Sequence, residues 1–272
     1  MIKKSMAVLW GLFVSAALFA QNLDITVEEL DGALRITKSG GTAKELVIPD
    51  AINGLPVTSI GPGAFAGRGL EKLTIPATIT EIGDLAFADN LLTSLIIGDN
   101  VTVIGRGAFS GNRIVELSLG QGISSIGRGA FSRNRIAGLT ITGNITAIED
   151  YAFFSNNIRI LSIPGTVAVI GAGAFSGNQI SQLEINQGVT DIGAGAFYNN
   201  QIRTVTIPGS ISVVGERAFD LRTVGASGTV EYRDTGGNLL LSSSKNFDAY
   251  YTISGKRAGT YTLTREGWRY GD

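Results

Sequence analysis

The dipeptide Ala-Phe occurs eight times in this chain, and each copy follows the last by 22 residues: Phe65, Phe87, Phe109, Phe131, Phe153, Phe175, Phe197 and Phe219. A period of this length makes each stretch bury its apolar side chains against the copies before and after it, so it specifies a solenoid. One unit reads Leu70-x-x-Leu73-x-Ile75-Pro76-x-x-Ile79-x-x-Ile82-Gly83-x-x-Ala86-Phe87-x-x-Asn90. Leu-x-Ile puts two side chains on one side of a strand and leaves the residue between them in solvent. Such strands stacked in parallel, roughly 4.8 Å apart, predict a continuous sheet and a rod about 40 Å long.

The other columns also have physical reasons. Ile82-Gly83 and its equivalents supply a second inward side chain, then a turn in which glycine tolerates positive φ. Glu149 takes the place of that glycine in one coil. The stretch from Gly83 to Asn90 has room for one short helical or 3₁₀ turn, with Pro62, Asp84, Asp150 and Glu216 suited to its start. Asn90, Asn112, Asn134, Asn156, Asn178 and Asn200 follow each phenylalanine by three residues and predict an amide ladder that satisfies backbone groups inside the coil. The first coil is longer, and Asn53-Gly54 within it is expected to bulge out as a loop.

Composition narrows the function classes. Hydrophobic residues make up 44% of the 272, which is enough for a core, and the formal net charge is −1. That balance gives no general attraction to nucleic acid or anionic lipid. Cysteine and histidine are both absent. Their absence removes disulfides, zinc sites built on those residues, cysteine nucleophiles and Ser-His-Asp triads. We therefore expect no catalysis, no cofactor and no metal.

Four segments follow. Residues 1–20 read as a signal peptide, with Lys3 and Lys4 before an apolar run too short to span a membrane. Residues 21–45 read as an N-terminal cap hairpin around Asp31-Gly32. The solenoid covers 46–224. Residues 225–272 read as a C-terminal β cap, with short strands at Thr229–Tyr232, Asn238–Leu241, Tyr251–Ile253 and Thr260–Leu263. The mature protein is expected to be exported, to an extracellular, cell-surface or periplasmic location, with no transmembrane helix.

The unit, with Ala-Phe and Asn at constant period over about residues 46–224, resembles the BspA-type leucine-rich repeat, also called the Treponema-type repeat. The resemblance implies a right-handed leucine-rich-repeat solenoid of about eight 22-residue turns, α/β leaning to mainly β, with β caps at both ends. It also implies a bacterial surface protein, and adhesion to extracellular matrix or to another cell. Family coils often carry Cys where this chain carries the asparagines, and their period is usually slightly longer.

A partner is therefore expected to be a protein or a glycan, held on the strand face or on an arginine edge. The strand-face candidates are Lys72, Thr74, Ser118, Thr140, Ser162 and Thr206, in small, hydroxyl-rich outward columns. The edge candidates are Arg106, Arg113, Arg128 and Arg135, which the period stacks as Arg106 on Arg128 and Arg113 on Arg135. Stacked like charges invite an anion, and the plainer alternative is a solvated edge whose stems cover apolar surface. A purely structural envelope spacer is the alternative to adhesion.

Overall fold

A computed structural model of the chain describes residues 24–202, 204–219, 232–233, 239–240, 259–264 and 267–270. The signal segment and the strand expected at 251–253 lie outside the described residues. The repeats form a parallel-strand solenoid of about eight coils, each near 22 residues long, as the period dictates. Each coil has three sides: a Leu side, an Ile-Gly side and a Phe side.

The continuous sheet is on the Ile-Gly side, where the strands are only two residues long. Glu81–Ile82, Val103–Ile104, Ser125–Ile126, Ala147–Ile148, Val169–Ile170, Asp191–Ile192 and Val213–Val214 stack in parallel, each residue paired with the one 22 later. On the Leu side the expected continuous sheet is broken. Glu45–Val47 pairs with Lys72–Thr74, Ser94–Ile96 pairs with Glu116–Ser118, and Ile160–Ile163 begins a third group with Gln182–Ile185 and Thr204–Ile207. One break falls between Lys72–Thr74 and Ser94–Ile96; the other falls where Ala137-Gly138 replaces larger residues, and a glycine weakens a strand by backbone entropy and lack of a side chain to pack.

The ends are antiparallel. Ile25–Leu30 and Ala33–Ser39 form a hairpin through Asp31-Gly32, and Ala33–Ser39 pairs in parallel with Leu55–Ile60 at one edge of the long sheet. At the other end Gly259–Thr264 pairs antiparallel with Thr204–Ile207 and with Gly267–Tyr270. Asn53-Gly54 forms a tight hairpin turn rather than an open loop, joining Ala51–Ile52 to Leu55–Ile60. Both residues have positive φ, 53° and 82°, the requirement of a type I′ turn that Asn-Gly meets.

The Phe side holds no helical turn. Alternate residues here divide their hydrogen bonds. The N–H groups of Leu85, Phe87 and Asp89 donate to the next coil, at Arg106, Ala108 and Ser110, while Ala86 and Ala88 donate three residues back. That alternation needs left-handed backbone at two positions per coil. One column is Gly63, Leu85, Gly107, Gly129, Tyr151, Gly173, Gly195 and Arg217, and the other includes Gly67, Asp89, Gly111, Arg133, Ser155, Gly177 and Asn199, all with φ of 55° to 72°. A non-glycine residue there costs about 1–2 kcal/mol. The glycine after the Ile-Gly strand has no positive φ, contrary to expectation. Close approach requires it instead: a Cβ on Gly83 would lie 2.8 Å from the Ile60 carbonyl oxygen, and one on Gly127 would lie 2.6 Å from that of Ile104. Glu149 occupies this position in one coil, and its carboxylate accepts the Arg128 N–H at 3.0 Å.

The core runs along the axis. Phe65 to Phe219 form one file of rings with centroids 5.2 to 5.6 Å apart and planes within 11° of parallel. The offset this implies suits the ring quadrupoles. Beside them the asparagine ladder forms as expected. Asn134 donates to the carbonyls of Phe109 (2.9 Å) and Phe131 (3.2 Å) and accepts the Ile114 N–H at 3.0 Å. Equivalent bonds recur from Asn90 to Asn200, and all six side chains are buried. Asn134→Ala should lower the unfolding free energy by about 3 kcal/mol or more, since three buried backbone groups lose a partner. Ser124→Ala, which removes an exposed bond to the Thr102 carbonyl, should cost less than about 1 kcal/mol. Urea unfolding of the two variants checks this; equal losses would show that the ladder is not special.

Candidate functional site

The Leu side carries the first candidate surface because the Leu-x-Ile alternation turns one residue inward and the next to solvent. Thr74, Ser118, Thr140 and Ser162 are exposed there, and Thr206 pairs with Thr260 through the backbone. Two of the polar candidates are already engaged. Lys72 forms an ion pair with Glu45 at 2.5 Å, and the hydrogen bond and charge of Glu45 raise the lysine pKa. Ser162 donates to Glu184 at 2.9 Å and accepts from Asn186 at 3.3 Å. The face is less uniformly hydroxyl-bearing than its composition suggests. Ile96 and Ile160 are 74% and 62% exposed, with Val47 and Val115 also open to solvent.

The arginine edge divides in two. Arg106 and Arg128 precede the Phe side of their coils, while Arg113 and Arg135 follow the ladder residues Asn112 and Asn134. All four are exposed. The first pair lies in a column running Asp84, Arg106, Arg128, Asp150, so each arginine has an acidic register neighbour. Those acids also cap backbone: Asp84 accepts the Arg106 N–H at 2.7 Å and Asp150 accepts the Ala172 N–H at 2.8 Å. The Arg128 guanidinium sits 5.7 Å from the centre of the Tyr151 ring, within cation–π range. Among the described residues, Arg113 and Arg135 make no ion pair within 4.0 Å.

The hydroxyl row on the corner before the long sheet is fully used. Thr80, Thr102, Ser124, Thr146, Thr190 and Ser212 each donate to a carbonyl of the preceding coil. They stitch coils together and leave little for a ligand.

The residues that composition passes over are Tyr151 and Phe154. Their rings meet edge-on at 6.0 Å and 90° on the Phe side. A signal was present in the sequence: the neighbouring coils carry Gly129 and Gly173 in register with Tyr151, and Ser132 and Ser176 in register with Phe154. Among the described residues, no group of three or more acidic side chains is placed to hold a metal ion, and no helix is long and apolar enough to cross a membrane.

No curated protein matches the sequence. Among solved structures the chain is similar to a leucine rich cell surface protein from Faecalibacterium prausnitzii A2-165, with 24% identity, 78% of this chain and 74% of that one covered, and a TM-score of 0.46. It is similar to a leucine-rich repeat protein from Bacteroides ovatus ATCC 8483, with 18% identity, coverage of 78% and 70%, and a TM-score of 0.46. It is also similar to the T. pallidum leucine rich repeat protein, with 19% identity, coverage of 72% and 84%, and a TM-score of 0.47. The profile of the BspA type leucine rich repeat region matches residues 42–159 and 146–227, in six copies. This chain belongs to the BspA-type leucine-rich repeat family.

Proposed function

We propose that this chain is an exported, surface-displayed adhesion protein that holds a protein partner on its Leu side by reversible contact, with no chemical step. The family suggests a protein-binding or adhesion role and an extracellular or surface location. The observation that carries the reading is the exposure of Ile96 and Ile160 on a face that also bears exposed Thr and Ser. Isolated exposed aliphatics are ordinary, but these two stand on the same side of the rod, in strands whose inward neighbours Leu95 and Leu161 are buried. Covering each would contribute roughly 1.5–3 kcal/mol to a complex. The surrounding Thr and Ser would supply the polar rim typical of such contacts.

Binding of the chain to immobilised fibronectin, fibrinogen and mucin tests this. Binding to at least one is expected, and Ile96→Ser with Ile160→Ser together should weaken it by about a hundredfold, a factor of ten for each ~1.4 kcal/mol. Silence on all three surfaces, with circular dichroism unchanged, would favour a structural envelope spacer. The arginine edge gives a separate expectation. Arg113→Ser with Arg135→Ser should lower the salt at which the chain leaves a heparin column. Arg106→Ser with Arg128→Ser should leave it unchanged, because Asp84 and Asp150 flank that pair. The reverse order would show that the unflanked arginines are not the anion contact.

A further inference from the structure

The Phe side contains an open depression of about 380 Å³, lined by Asp89, Ser110, Gly111, Ser132, Arg133, Tyr151 and Phe154. That is within the range of small-ligand sites, roughly 300–1,000 Å³. Its floor comes from three coils. Ser110 and Ser132 are register partners, and Gly111 sits between Asp89 and Arg133 in the neighbouring column. Tyr151 and Phe154, in the fourth coil, replace the small residues of the preceding coils and stand as an aromatic wall at one end.

The polar groups here differ from the capping aspartates and the hydroxyl row elsewhere on the rod. Asp84, Asp99 and Asp150 each accept a backbone N–H from the next coil, and the hydroxyl row before the long sheet bonds carbonyls. The Asp89 carboxylate, the Arg133 guanidinium and the Tyr151 hydroxyl have no such partner among the described residues. Nor have the hydroxyls of Ser110 and Ser132. The Asp89 carboxylate lies over Gly111, where a Cβ would come within 2.3 Å of its Oδ1. The absence of a side chain at Gly111 therefore leaves that carboxylate room. Three of the lining residues, Asp89, Arg133 and Tyr151, fill left-handed positions that suit glycine, at φ of 55°, 55° and 56°, as Leu85, Ser155, Asn199 and Arg217 do elsewhere on this side.

We propose that the depression walled by Tyr151 and Phe154 is a binding site for one ring of a neutral saccharide. A pyranose presents an apolar C–H face and an edge of hydroxyls that both donate and accept. The ring pair offers the apolar surface. Asp89 is an acceptor only, Arg133 a donor only, and the two serines are both, so the edge can be satisfied on either side. Asp89 and Arg133, two coils or roughly 10 Å apart, cancel at a distance, and Arg128, over the Tyr151 ring, has Asp150 as its acidic register neighbour. The site therefore favours neither a polyanion nor a cation. An extended peptide is a poorer fit, because the backbone N–H groups of Asp89, Gly111 and Arg133 already donate to Ser110, Ser132 and Phe154 and none remains to pair with another strand.

The test uses saturation-transfer NMR on the chain with neutral oligosaccharides ending in galactose, glucose or N-acetylglucosamine. Tyr151→Gly and Phe154→Ser install residues that adjacent coils carry at those positions, so circular dichroism should be unchanged. Transfer to ring protons of at least one neutral oligosaccharide is expected, with at least a tenfold weaker Kd in each variant. The proposal is overturned if no neutral oligosaccharide shows transfer, or if both variants bind as the parent does. It is also overturned if binding requires a sulfated or sialylated sugar, since that would point to a cationic site instead.

Discussion

Each buried asparagine is shared between two coils, and that sharing sets what the rest of the structure can be. The Asn134 amide bonds the Phe carbonyl of its own coil and of the one before, while its oxygen receives a backbone N–H from the preceding coil. A coil that slipped by one residue would leave all of these groups buried and unpaired, each at a cost of about 1–3 kcal/mol. The register of 22 is thus enforced by polar atoms, while the phenylalanine file and the aliphatic columns supply the burial. Neither works in a lone coil, because each asparagine needs the Phe carbonyl and the backbone N–H of the preceding coil as well as its own Phe carbonyl.

This division of labour explains why candidate contacts occur only off the columns. The hydroxyls of Thr80 and its equivalents are consumed by carbonyls of the preceding coil. Asp84 and Asp150 suggest the start of a helical turn, yet they cap backbone amides of the next coil. What remains free is set by departures from the repeat: Ile96 and Ile160 on the Leu side, and Tyr151, Phe154 and Arg133 on the Phe side. An outward side chain touches only its neighbours in register, so such variation leaves the columns intact, at about 1–2 kcal/mol each where Arg133 and Tyr151 hold left-handed backbone.

The period made the fold legible. Inward columns, the asparagine ladder and the parallel stacking all follow from spacing, because burial and hydrogen-bond satisfaction repeat with the chain. Backbone conformation was less visible. Glycine after the Ile-Gly strand suggested positive φ, whereas Gly83 and Gly127 are there because the preceding coil comes too close for a Cβ. The left-handed positions come two residues later, where Leu85 and Tyr151 obscure a column otherwise rich in glycine. A helical turn was expected for the same reason: residue types alone do not show that alternate N–H groups point to the next coil. On the Leu side, Gly138 was visible but its consequence, a broken sheet, was not. The candidate surface was legible only as columns of residue types. Side-chain pairing, such as Lys72 with Glu45 across 27 residues, needs the structure.

Native-state hydrogen exchange tests the central claim most directly. The amides of Leu92, Ile114, Ile136, Ile158 and Ile180, which donate to ladder asparagines of the next coil, should be among the slowest in the chain. They should also exchange with one shared opening free energy, close to that of global unfolding. Exchange of these five amides at scattered, low opening energies, with the rest of the rod intact, would contradict the ladder as the interaction that holds the coils in register.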